Sequence, residues 1–143
     1  MAVYFANKGI YTLLNLATSG STDIRQAVFT GSAPSQATVA DYNFLSDVTG
    51  AHTEAAASGY ARADLANVTI TEDDTGNKVT ITADAPTYTS VASGETWTFV
   101  AYYIYNASDS SAVLICIDIP ASSQVTFGGN ITGPALNLSA AGV

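Results

Sequence analysis

A chain of 143 residues can bury one core, and its formal net charge of −8 leaves only four cations, Lys8, Arg25, Arg62 and Lys78, far apart in the sequence. Phosphate backbones and anionic lipid surfaces are bound by clustered Lys and Arg, so this composition weighs against nucleic acid and membranes as partners. Hydrophobic residues make up 48% and charged residues 11%, against a charged share of about 25% in ordinary domains, a balance that excludes a disordered chain and suits a surface spent against other proteins.

In chain order, Ile10, Leu13 and Leu14 stand near helical spacing after Asn7, whose side-chain oxygen can cap a helix start, which predicts a short helix within residues 7–16. The small and polar residues 17–22 break it. Residues 23–30 then alternate Ile24, Gln26 and Val28 against Arg25, Ala27 and Phe29, a strand pattern. Val39, Tyr42 and Leu45 recur every three residues, as one face of a short helix over 38–45 requires; the alternative is an irregular connector carrying Phe44 and Leu45 into the core. Residues 51–58 are small and polar, and Gly59 introduces an alternating strand over 60–65.

The strongest local signal follows. Two alternating β-branched runs, 68–71 and 78–83, flank an acidic turn at 72–77, which predicts a β-hairpin with Val68, Ile70, Val79 and Ile81 facing a core. Residues 96–105 carry Trp97, Phe99, Tyr102, Tyr103 and Tyr105, the density of a central strand buried on much of both faces. Strict alternation would send Trp97, Phe99 and Tyr103 one way with Ala101, and Tyr102 and Ile104 the other. A turn at 106–111 leads to the apolar strand 112–119, ended by Pro120 and expected to pair with its predecessor. Short strands are expected at 124–127 and 135–138, separated by the turn residues Gly128, Gly129 and Asn130 and by Gly133 and Pro134. The regular spacing of strand and turn predicts one mainly β domain over residues 1–143. It would be an antiparallel β-sandwich or partly closed barrel with one or two short helices in the N-terminal third.

Chemistry has little foothold. Cys116, the one cysteine, lies in an apolar strand and reads as a small buried hydrophobe, so neither an intrachain disulfide nor a cysteine metal site is expected. His52, the one histidine, sits in a polar stretch without a nucleophile-elbow serine and reads as a solvated loop residue. The acidic tip could offer oxygens to a cation, but its spacing does not match a helix-flanked calcium loop, and it reads as a solvated hairpin end. Asp23 with Asp41 or Asp118 would make a glycosidase pair only by the chance that any chain with twelve acids offers. Gly128 and Gly129 lack the third glycine and the following helix of a phosphate loop. The residues therefore nominate no catalytic, cofactor-binding or metal-binding position.

Read as a series, the motifs resemble a known group. An Asn-Lys-Gly opening at Asn7 precedes a strand Ile-Arg-Gln-Ala-Val-Phe from Ile24, a Phe-Leu-Ser-Asp segment ending at Asp47 and a Gly-Tyr-Ala-Arg strand from Gly59. The paired Val-Thr-Ile runs follow, then the aromatic strand, Leu-Ile-Cys-Ile-Asp-Ile from Leu114 and a late Gly-Gly-Asn-Ile-Thr. Over nearly the whole chain this layout is similar to small tailed-phage structural proteins of the capsid decoration or cement type. The resemblance implies a non-enzymatic β-fold, made in the host cytoplasm and carried on the virion. There it would bind the major capsid protein and itself as a homo-oligomer, a trimer at local threefold points. Two alternatives remain: a tail-fibre receptor- or carbohydrate-binding module with some of Trp97, Tyr102, Tyr103 and Tyr105 exposed, and a tail tube or connector component. Because ends and tips are free to reach a neighbour, the expected interface comprises Ala2, Val3, Tyr4 and Phe5, the tip Asp73, Asp74, Thr75, Gly76 and Asn77, and Leu136, Leu138 and Val143 of the C-terminal stretch.

Overall fold

The computed structural model describes residues 2–6, 23–76 and 78–141. Among them the order is β1 (Ala2–Phe5), β2 (Ile24–Thr30), α1 (Gln36–Asp41), α2 (Leu45–Ala51), β3 (Thr53–Glu54), β4 (Ala63–Asp64), β5 (Thr69–Asp73), β6 (Lys78–Ala83), β7 (Thr87–Val91), β8 (Thr96–Ile104), β9 (Leu114–Ile119), β10 (Gln124–Val125), β11 (Gly129–Thr132) and β12 (Leu136–Ala141). The helix expected within residues 7–16 lies outside the described residues.

A strand as apolar as β8 is stable only where both its faces are covered, and it takes the centre of the largest sheet. β2 pairs with it on one side; β9 and then β10 run along the other, with β1 outside β9 and the short β3 and β4 outside β2. Two smaller sheets, β12-β6-β5 and β11-β7, complete the structure, all pairings are antiparallel, and the sheets do not close into a barrel. The mainly β expectation holds, and among the described residues helix is confined to 36–51.

The central sheet is covered differently on its two sides. Ile24 and Val28 of β2, Val100 and Tyr102 of β8 and Cys116 of β9 pack against Ile81, Tyr88, Ile131, Leu136 and Leu138 of the smaller sheets, which makes the sandwich. On the opposite face Ala27, Phe29, Phe99, Ala101, Leu114 and Ile117 are covered by Val39 of α1 and by Leu45 and Val48 of α2. Phe29 and Phe99 stack there with ring centroids 5.0 Å apart.

Three expectations need correction, each for a backbone reason. Residues 38–45 do not form one helix. Leu45 N donates to Ala112 O at 2.9 Å and Leu114 N to Asn43 O at 3.1 Å, so the start of β9 captures the backbone at 43–45 and divides the helical region in two. The Asp47 carboxylate, accepting from the Asn43 and Phe44 amides at 2.7 and 3.0 Å, fixes the start of α2, which runs on to His52 through residues expected to be loop. Secondly, Trp97 emerges on the sandwich side and not beside Phe99. Phe29 faces Phe99 but Thr30 faces Trp97, so Thr98 is an extra residue, and this bulge reverses the side on which Trp97 points. Thirdly, Gly129 and Asn130 belong to strand β11 and not to a turn; its partner β7 is too short and polar to show hydrophobic alternation.

Candidate functional site

Of the positions expected at an interface, Ala2, Val3, Tyr4 and Phe5 form β1 and are hydrogen-bonded along β9, from Ala2 opposite Ile119 to Phe5 opposite Cys116. Leu136 and Leu138 point into the sandwich core, so their side chains are spent on the fold, while Asn137 and Ser139 between them face outward. At the hairpin tip Asp73 accepts from the Gly76 amide at 2.8 Å and lies 3.6 Å from Lys78 Nζ, leaving Asp74, Thr75 and Gly76 exposed. Asn77 and Val143 are outside the described residues. The structure therefore does not gather these positions into one patch by any contact it shows. Among the described residues no three His, Cys, Asp or Glu side chains are grouped to hold a metal ion, and no helix is long and apolar enough to cross a membrane.

The aromatic band is core. Trp97, Phe99, Tyr102 and Tyr103 are buried, and Tyr105 alone is exposed, with the Arg25 guanidinium 3.5 Å above its ring centroid. His52 is not a free loop residue: it ends α2, its ring meets Phe99 edge-on, and its Nε2 lies 3.1 Å from Tyr42 Oη. Burial pulls its pKa below the ordinary histidine value.

Two polar clusters hold the parts together. Arg62 donates from Nε and Nη2 to the two Glu54 carboxylate oxygens at 2.7 Å each, and from Nη1 and Nη2 to those of Asp109 at 2.6 and 2.8 Å. Tyr60 Oη adds a bond to Glu54 at 2.9 Å while accepting from the Val28 amide. This clamp ties β3 and the approach to β4 to the turn between β8 and β9, and the guanidinium holds the Asp109 carboxyl below the usual range. Inside the sandwich, Gln26 donates to Pro134 O at 3.0 Å and accepts from Tyr88 Oη at 2.7 Å, and Tyr102 Oη also donates to Pro134 O, at 2.9 Å. Both clusters are fully engaged inside the chain, with no group left aimed at a ligand.

The surface departs from ordinary practice at β10. Thr126 is buried and pinned both ways to Glu95: its amide donates to Glu95 O, and its hydroxyl accepts from Glu95 N, each at 2.9 Å. In an extended segment neighbours alternate, so fixing Thr126 inward forces Val125 and Phe127 outward together. They are 63% and 65% exposed, the largest values among the exposed large hydrophobic residues described. The Phe127 ring lies over Gly129, where a Cβ would meet it, so the ring is seated on backbone. No family model matches this chain, no curated protein matches it and no solved structure matches it.

Glu95 supports the same corner from beneath. Its carboxylate accepts from Trp97 Nε1 at 3.0 Å and from the Ala56 amide at 2.9 Å. Burial pushes its pKa up, but these bonds win and hold it below the usual range. Sequence reading missed Val125 and Phe127 as surface residues. The available signal was the polar Thr126 between two apolar residues, with glycines following, which marks a strand whose apolar side has no room in a core.

Proposed function

We propose that this protein works by docking onto folded protein surfaces, and that it is a capsid decoration or cement protein of a tailed phage, binding the major capsid protein and further copies of itself. The observation that carries the docking reading is the pair of Val125, which ends β10, and Phe127 just beyond it, both held outward by the buried Thr126 between them. Covering a Val or Phe side chain contributes about 1.5–3 kcal/mol, so one such patch gives a weak contact, and repetition over a lattice turns weak contacts into firm attachment. The charge-poor surface supports the same reading, since few ion pairs need desolvation when the face is covered. The capsid assignment rests on the sequence layout described above.

The test is co-sedimentation of purified protein with heads assembled from a tailed-phage major capsid protein, followed by cryo-electron microscopy of the loaded particles. Density at lattice junctions with the 125–127 segment in contact supports the reading. Binding that survives Phe127→Asp unchanged removes the patch from it, and density confined to tails removes the capsid assignment.

A further inference from the structure

One opening in the fold has the form of a missing strand. Ala92 N donates to Ser58 O at 2.8 Å and Asp84 N donates to Ala66 O at 3.0 Å. These two bonds share one antiparallel register, so segments 58–66 and 84–92 are pinned together at both ends. Between the pins no backbone hydrogen bond joins them, and a cleft of about 480 Å³ opens instead, lined by both segments. The upper pin depends on Gly59. With φ +88° it brings its backbone so close to Ser90 that a Cβ would stand 2.5 Å from the Ser90 carbonyl oxygen.

The cleft walls are strand edges. In β4, Leu65 N bonds to Ile24 O and Ala63 faces Gln26, so Arg62 and Asp64 direct their backbone groups away from β2 and into the cleft. In β7, Gly133 N bonds to Pro86 O and Tyr88 faces Ile131, so Thr87 directs its backbone groups away from β11 and into the same space. The two edges belong to the central sheet and to the β11-β7 sheet, and a single guest strand between them would join the two.

We infer that this cleft accepts an extended segment of another polypeptide, about four to six residues long, by β-strand addition between β4 and β7, and that the guest carries a basic residue at the end lying beside the Ala66–Asp84 pin. Charge decides the guest's chemistry. Asp64 and Asp84 are both exposed at the end of the cleft closed by the Ala66–Asp84 pin; Arg25 lies 4.0 Å from Asp64, and Asp84 accepts from Asn67 Nδ2 at 2.6 Å, which leaves both carboxylates charged and open to solvent. The one cation of the lining, Arg62, is committed to Glu54 and Asp109. A chain of net charge −8 with four cations is a poor donor of such a segment, which points away from a second copy of itself. The main chain of the guest would supply the hydrogen bonds, and small side chains such as Thr and Val would fit beside Ala61 and Ala63. This inference concerns residues apart from the 125–127 patch and does not require the capsid assignment.

The test uses the intact protein and an array of blocked hexapeptides with Lys at both ends and Ala, Val, Thr or Ser between, beside Glu-ended counterparts and copies N-methylated at alternate amides. Members of the Lys-ended set should bind saturably and slow hydrogen exchange at the Arg62, Asp64 and Thr87 amides about tenfold or more, as strand pairing does. The N-methylated copies should not bind, and the double change Asp64→Asn with Asp84→Asn should weaken binding about fivefold, the size expected of two exposed charges. Ala61→Trp, which fills the cleft from an exposed position, should abolish binding while leaving the thermal transition in place. Absence of binding by every Lys-ended peptide overturns the inference, as does equal binding of N-methylated copies or protection confined to other amides.

Discussion

The two faces of the central sheet are built from the same three strands and are held by different physics. Against the helices, Ala27, Phe29, Phe99, Ala101, Leu114 and Ile117 meet Val39, Leu45 and Val48, and Tyr103 carries the one hydroxyl among the buried members of that cluster. Against the smaller sheets, the core carries Gln26, the hydroxyls of Tyr88 and Tyr102, and Asp118, all within apolar surroundings. Apolar packing is tolerant of exchange as long as volume is kept, whereas each buried polar group demands one partner in one place. The helix face therefore supplies most of the adhesion. The sandwich face supplies register: Gln26 and Tyr102 both address Pro134, the link between β11 and β12, and so fix how the smaller sheets sit.

The comparison breaks most visibly at Phe99. Phe99→Ala removes a fully buried ring stacked on Phe29, and the cavity and lost transfer energy should cost about 4 kcal/mol in urea unfolding at neutral pH. Gln26→Leu keeps the volume on the other face but strips Tyr88 Oη of its acceptor and leaves Pro134 O with Tyr102 Oη alone, a loss of about 2 kcal/mol; if it proves neutral, the sandwich face is held by packing alone. The outer clamp should give less. Arg62→Ala should cost about 1.5 kcal/mol near neutral pH, because the pairs are partly screened by solvent. Since Arg62 depresses the Asp109 pKa, that stabilisation is present above the unfolded carboxyl value and is lost as pH falls through the folded one. The gap between wild type and Arg62→Ala should therefore close in acid.

What could be read from the sequence divides along a similar line. The hairpin of β5 and β6 and the central place of β8 were legible because they depend on alternation and neighbouring turns, and Ile70 does face Ile81. Trp97 was misplaced because a one-residue bulge at Thr98 is invisible in a pattern of period two. The break between α1 and α2 was missed because its cause, Ala112 and Leu114, lies some seventy residues away. The site followed the same rule. Phe127 faces outward because Glu95 holds Thr126, and the cleft exists because bonds at Ser58 and Ala66 fix both ends of a gap. Long-range backbone contacts of this kind leave no local signature.

Asp118 gives the smallest effect and the sharpest test of the polar face. It stands on β9 opposite Val100 and Val3, almost fully buried, and its Oδ1 has no hydrogen-bond partner among the described residues. Burial raises its pKa above the ordinary carboxyl value, and its charge in turn adds to the burial that raises the Cys116 thiol. The sign follows from proton binding: the folded state holds this proton more tightly than the unfolded chain, so stability is greatest below the unfolded pKa and declines as pH rises through the folded one. Asp118→Asn keeps the shape without the charge. It should leave stability unchanged near pH 3.5 and raise it by about 1 kcal/mol at pH 7, read from urea midpoints at the two pH values. A loss at pH 7 would mean that the carboxylate has a partner worth more than its burial costs, and the sandwich face would then be held by charge as well as by register.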